Sequence, residues 1–193
     1  MGKVLGGWQW NGIVSLQSGQ HWTPYDSAAR NISCSDPLDV TTCTNVGGDY
    51  NLDGTANDRP DSGNGNTIQG NKCMYANGYF NAACGSSFTN FQGANPFFTA
   101  PCFGCNGNLG RNTFEGPGHI NFDMSFFKNT KIRESMMFQF RFEVFNIFNR
   151  ANFLLPSSST GANFANRVRS GIFGKSAGTL NPRQIQIAFR FTF

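Results

Sequence analysis

Charge is scarce in this chain of 193 residues: Asp, Glu, Lys and Arg together make up 13% of it, about half the usual quarter. The net charge of +4 is mild and the basic residues are scattered, which excludes the clustered basic footprint of a nucleic-acid-binding protein. No run of about 18 apolar residues occurs, which excludes a transmembrane helix. The opening Met1-Gly-Lys-Val-Leu-Gly-Gly lacks the apolar core of a secretory signal. For an exported protein, this leads to the expectation that an N-terminal part belongs to the molecule and is not in this chain. Histidine is limited to His21 and His119. Neither sits in a metal-spaced cluster or beside an acid–base constellation, so no enzyme chemistry is expected.

What is abundant is phenylalanine (21 residues) and glycine (23 residues), a mixture suited to aromatic strands joined by turn-rich loops. The clearest segment is Arg183-Gln-Ile-Gln-Ile-Ala-Phe-Arg-Phe-Thr-Phe193. Ile185, Ile187, Phe189, Phe191 and Phe193 alternate with polar or small residues, among them Gln186 and Arg190. Side chains on a strand alternate faces, so the segment has one apolar and one polar face. A soluble sandwich and a transmembrane barrel both accept such a strand, and its length matches the 9–11 residues that cross a bilayer obliquely.

The pattern recurs. Residues 4–17 place Trp8, Trp10, Val14 and Leu16 on one parity and Gln9, Asn11, Ser15 and Gln17 on the other, with Ile13 the apolar exception. Paired tryptophans near a strand start suit a membrane interface as well as a core. Residues 119–128 alternate Ile120, Phe122, Met124 and Phe126 with Asn121, Asp123 and Ser125. Residues 136–148 set Phe138, Phe140, Phe142 and Val144 against Gln139, Arg141 and Glu143. So many phenylalanines backed by a charged face fit lipid better than a soluble core. Gln139, Arg141, Glu143, Gln186 and Arg190 are then expected to face a wet lumen.

Residues 18–118 and 149–181 show no long periodic segment, and 129–135 reads as a short polar link. The resulting order of long, short and long connections matches a barrel with long extracellular loops and a short periplasmic turn. The expected fold is all-β: an antiparallel transmembrane barrel segment of about four strands, with 18–118 and 149–181 outside and 129–135 in the periplasm.

The six cysteines, Cys34, Cys43, Cys73, Cys84, Cys102 and Cys105, all lie in the turn-rich middle. Their even number fits three disulfides in an oxidising compartment. Proximity pairs Cys34 with Cys43, Cys73 with Cys84, and Cys102 with Cys105, one of 15 possible connectivities. Cys102-Phe-Gly-Cys105 lacks the second pair or spaced histidine of a zinc site. Asp49-Tyr-Asn-Leu-Asp-Gly54 starts like a calcium loop, with oxygen ligands at Asp49, Asn51 and Asp53. The twelfth position holds Pro60 instead of a bidentate glutamate, leaving Asp58 or Asp61 to substitute. The competing reading is a loop of Asx turns.

Gly110-Arg-Asn-Thr-Phe-Glu-Gly-Pro-Gly118, Asn121-Phe-Asp-Met-Ser-Phe-Phe-Lys128, Phe140-Arg-Phe-Glu-Val-Phe-Asn-Ile-Phe-Asn149 and Asn152-Phe153 resemble the C-terminal barrel of TonB-dependent outer-membrane receptors. The branch they resemble is the Oar-like group, which carries an N-terminal carboxypeptidase-regulatory-like domain. Gly7-Trp8, Ser18-Gly19-Gln20 and Asn57-Asp-Arg-Pro60 also fit, so the likeness covers nearly the whole chain.

The resemblance implies a barrel of about 22 strands with a plug, of which residues 1–193 supply a C-terminal fragment. It implies location in the outer membrane of a Gram-negative type of cell, contact with lipid, and coupling to TonB through the part not in this chain. It also implies import of a scarce solute, with the terminal stripe Ile185, Ile187, Phe189, Phe191 and Phe193 read by the barrel-assembly machinery. The alternative function is a surface protein that uses the disulfide-rich loop for adhesion or calcium-dependent contact.

Overall fold

A computed structural model describes residues 6–26, 33–35, 43–44, 48–63, 70–91, 94–156 and 165–193. Among them the strands in chain order are β1 (Trp8–Gln17), β2 (His21–Trp22), β3 (Ser33–Cys34), β4 (Cys43–Thr44), β5 (Asp61–Ser62), β6 (Thr89–Phe91), β7 (Pro96–Thr99), β8 (Phe114–Glu115), β9 (His119–Arg133), β10 (Met136–Phe145) and β11 (Gln184–Thr192). One short helix, α1, spans Lys72–Asn77 and is capped by Asn71, whose side-chain oxygen accepts the Met74 N–H. The chain divides into two compact units.

The first unit comprises residues 1–18, 118–152 and 179–193. It is built on an antiparallel sheet in the order β1-β9-β10-β11. Register keeps the two faces in line across the strands. Trp10, Phe126, Phe142 and Ile187 form one row, and Gly12, Met124, Val144 and Ile185 the next. The opposite face carries the rows Asn11, Ser125, Glu143, Gln186 and Gln9, Phe127, Arg141, Ala188. A one-residue slip would exchange the faces, so the alternation itself fixes the register. The apolar face is bare over much of its area: Trp10 is 66% exposed, Leu16 66% and Phe189 67%. One cation sits in it. Lys128 lies opposite Trp8 and holds its ammonium 4.5 Å from the centre of the indole, a favourable cation–π contact.

Three boundaries differ from the sequence expectation, the first being β1, which begins at Trp8 and leaves out Gly6 and Gly7. The link at 129–135 contracts to Glu134–Ser135, because β9 continues to Arg133. Asn129 and Thr130 pair with Gln139 and Phe138, and β-branched Thr130 and Ile132 tolerate extension well. A bulge opposite Met136/Met137 absorbs the extra residue. At the other end, β10 stops at Phe145 and does not reach 148. Asn146 takes φ 52° and Asn149 φ 49°, left-handed values that asparagine accepts more readily than most residues.

The second unit joins residues 19–117 to 153–178. These are most of the two segments expected as extended loops, and they share one aromatic core. Trp22, Tyr75, Tyr79, Phe97, Phe98, Leu109, Phe114, Val168 and Phe173 are all buried. Phe98, Phe114 and Phe173 meet pairwise at centroid distances of 5.3–5.9 Å, within the favourable range for aromatic pairs. Backbone approaches are tight: a Cβ on Gly19 would lie 1.8 Å from the Gly116 carbonyl oxygen, so only glycine fits there. The absence of periodicity thus reflects strands of two to four residues, as in β2 and β5–β8, and does not reflect a lack of structure.

Candidate functional site

The polar face of the sheet ends in a cleft, and the asparagines of the 146–152 turn build it. Asn146 is 6% exposed and Asn152 3%. The Asn146 backbone N–H donates to Asp123 Oδ1 at 2.8 Å. Its side-chain Nδ2 donates to the carbonyls of Arg150 at 3.0 Å and Asn181 at 3.2 Å, and its Oδ1 accepts the Arg150 N–H at 3.0 Å. Asn149 Oδ1 accepts the Arg183 N–H at 3.0 Å. These bonds satisfy backbone groups that β10 leaves open where it ends, and tie the turn to the segment entering β11.

Above this frame lies a cavity of about 390 Å³. His119, Asn121 and Asp123 from β9, Phe145 from β10, Thr179 and Asn181 from the approach to β11, and Gln184 at its start line it. Asp123 is fixed in place: its Oδ1 accepts Asn121 Nδ2 at 2.8 Å as well as the Asn146 N–H. Among the described residues, no Lys or Arg lines the cavity. Phe145, 39% exposed, interrupts the polar face at this point. A cleft of this composition offers hydrogen-bond donors and acceptors, one carboxylate and one aromatic surface.

The five residues expected to face a lumen share the polar face. Gln139 Nε2 donates to Asn129 Oδ1 at 2.8 Å, and the Arg141 guanidinium covers the Phe127 ring at 4.6 Å. Glu143 is flanked by Ser125 and Gln186, and Arg190 is opposite Gln139. Ile185, Ile187, Phe189 and Phe191 lie on the other face of β11, and Phe193, which follows it, is 91% exposed.

In the second unit, Cys73 is bonded to Cys84 and Cys102 to Cys105, as proximity predicts. Cys34 and Cys43 are backbone register partners between β3 and β4, and their side chains lie outside the described residues. The Asp/Asn loop is laced by two Asx-type bonds and one bond that spans seven residues. Asn51 Oδ1 accepts the Asp53 N–H at 3.0 Å, Asp53 Oδ1 the Thr55 N–H at 2.8 Å, and Asp58 Oδ2 the Asn51 N–H at 2.9 Å. Asp49 is fully buried. Among the described residues, no three His, Cys, Asp or Glu side chains converge at metal-holding distance.

Sequence reasoning missed an ionic cluster around a buried aspartate, with the Arg169 side chain reaching it from the surface. Asp26, fully buried, accepts a short hydrogen bond from the Tyr50 hydroxyl and one from Arg169 Nε at 2.6 Å. The Arg169 guanidinium also stacks 4.0 Å from the Phe91 ring. Burial, reinforced by Asp26, pushes the Tyr50 phenol well above its ordinary pKa. The three partners are 24 and 143 residues apart in pairs with Asp26, and no local pattern announces them. The family-like stretches prove to be framework. Phe114 of Gly110–Gly118 is core, and Asn146 and Asn149 hold the turn.

Long antiparallel strands, a largely apolar face left bare and a polar face behind it define a membrane β-barrel protein. The chain belongs to the family described as outer membrane beta barrel domain, which it matches over residues 1–186, and its place is the outer membrane. No curated protein and no solved structure matches it.

Proposed function

We propose that this chain is part of a TonB-dependent outer-membrane receptor, of the Oar-like branch, that imports a scarce solute. The observation that carries the reading is the sheet's open edges. Among the described residues β1 pairs only with β9 and β11 only with β10, and four strands cannot enclose a lumen. Closure therefore calls for further strands against both edges, which gives a wide barrel whose interior is the Gln139–Arg141–Glu143 face. The resemblance of Gly110–Gly118 and Phe140–Asn149 to such receptors supports the same reading.

Both long segments leave the sheet at one end, opposite Glu134–Ser135. In this reading that end is extracellular, and the cleft at Asp123 and Phe145 is a solute contact near the outer mouth. The test compares solutes depleted from the medium by cells carrying the complete gene, cells lacking it and cells without active TonB. Loss of the same solute in both deficient strains is expected. Uptake that persists without TonB overturns the proposal.

A second reading, a surface-contact protein, is favoured by the second unit, which has its own aromatic core and disulfides. It predicts that cells bearing the protein adhere to a surface that gene-deleted cells leave free. Repeating the assay with a chelator tests the calcium expected at Asp49, Asn51, Asp53 and Asp58.

A further inference from the structure

The two disulfides of the second unit occupy different settings. Cys73 and Cys84 are both half-buried, and the Asn77 side-chain amide packs against them, 3.6 Å from the Cys73 sulfur and 4.0 Å from that of Cys84. Their bridge spans 11 residues and ties α1 to the turn after it. The Cys102–Cys105 bridge spans only three residues, and short loops constrain the unfolded chain least. Cys102 is exposed, as are Phe103 and Gly104 beside it. The bridge also lies at the outer end of a zipper between residues 102–109 and 50–62. Gly104 N–H donates to the Tyr50 carbonyl at 2.8 Å, and Asn51 Nδ2 to Asn106 Oδ1 at 3.2 Å. Further in, Asn108 bonds Asp61 and Ser62, and Arg59 Nη1 donates to the Leu109 carbonyl at 2.6 Å.

We propose that Cys102–Cys105 is a thiol-exchange site that latches the Tyr50–Asp58 loop, with an external dithiol as its substrate class. One thiolate of the dithiol attacks the exposed Cys102 Sγ, and the Cys105 sulfur leaves as a thiolate that takes up a proton. The second thiol of the reagent then attacks the mixed disulfide and releases Cys102. The reagent ends as its own disulfide, and the protein holds two thiols. Opening the ring frees the Gly104–Tyr50 bond, while the inner contacts at Asn108 and Arg59 hold the rest of the zipper closed.

The experiment titrates folded protein, in outer-membrane vesicles, with dithiothreitol, traps thiols with iodoacetamide and reads each cysteine by peptide mass spectrometry. Cys102 and Cys105 are expected to be alkylated at about tenfold less reagent than Cys73 and Cys84, because exchange rate follows access. Hydrogen exchange at the Gly104 amide should rise in step, and by the same factor in the C102S/C105S double variant. Opening of Cys73–Cys84 at equal or lower reagent overturns the exchange site. Unchanged exchange at Gly104 after alkylation overturns the latch, even if the double variant fails to fold.

Discussion

Asn152 stands in for a strand beside Ile120. Its Oδ1 accepts the Ile120 N–H at 3.1 Å and its Nδ2 donates to the Ile120 carbonyl at 2.9 Å. One side chain thus completes the backbone pairing of a β9 residue beyond the last rung that β10 supplies, and its own carbonyl accepts the Leu180 N–H at 2.8 Å.

Asn152→Ala leaves both Ile120 groups without this partner in a partly buried place. The expected loss is about 1–3 kcal/mol, the cost of leaving buried polar groups unpaired. The midpoint of urea unfolding in detergent should fall accordingly, whereas Asn181→Ala, whose backbone carbonyl does the bonding, should leave it nearly unchanged.

The two faces of β11 give opposite responses to charge. Phe189→Asp puts a carboxylate on the apolar face and should sharply reduce the folded, membrane-inserted fraction, since a charge facing lipid costs up to about 2–4 kcal/mol depending on depth. Arg190→Asp, on the polar face opposite Gln139, should insert normally. Protease protection of membrane fractions distinguishes them, and equal insertion would contradict the assignment of faces.

Alkali should unfold the second unit. Burial keeps the phenols of Tyr50 and Tyr79 protonated far above their usual range, while the unfolded chain ionises them near pH 10, at about their ordinary value. Their contribution is therefore complete below about pH 10, where both states hold the proton, and declines as pH rises further, because only the unfolded state releases it. Near-ultraviolet circular dichroism should show this loss, and Tyr79→Phe should make the decline less steep.

Gly174 and Gly85 separate clash from backbone strain. Both have positive φ, 73° and 79°. A Cβ at Gly174 would lie 2.0 Å from the buried Tyr79 ring, and one at Gly85 would meet nothing within 4 Å. Gly85→Ala should cost about 1 kcal/mol, from strain alone. Gly174→Ala should cost about 3 kcal/mol or more, because the core must move as well. Thermal unfolding of the two variants checks the difference.

The sheet was legible because period-two alternation survives over seven residues from Phe138 through Val144 and nine from Ile185 through Phe193. Both faces could be assigned before any pairing was known. The ends of strands were less legible. Ile147 and Phe148 prolong the apolar pattern past Asn146, and only the backbone conformation of Asn146 shows that β10 has stopped. Thr130 and Ile132 were hidden by the polar residues around them. The second unit was illegible for a different reason. Trp22, Tyr79, Phe98 and Phe173 are far apart in sequence; the first three lie in or beside elements too short to repeat a pattern, and Phe173 lies in a turn. The cleft shares this difficulty: His119 and Asp123 sit on a legible strand, but Asn181 and Gln184 reach them only through the fold.

The shared aromatic core ties two distant segments to one folding step. Val168 and Phe173 come from the later segment, and the other core residues from the earlier one. Until the later segment docks, Trp22, Tyr79, Phe98 and Phe114 lack two of their neighbours. That half-built cluster is exposed surface, the kind on which chains aggregate. The stretch from Phe153 to Gly178 therefore acts as a late keystone. Any delay in its arrival lengthens the time for which a chaperone must shield the unfinished core.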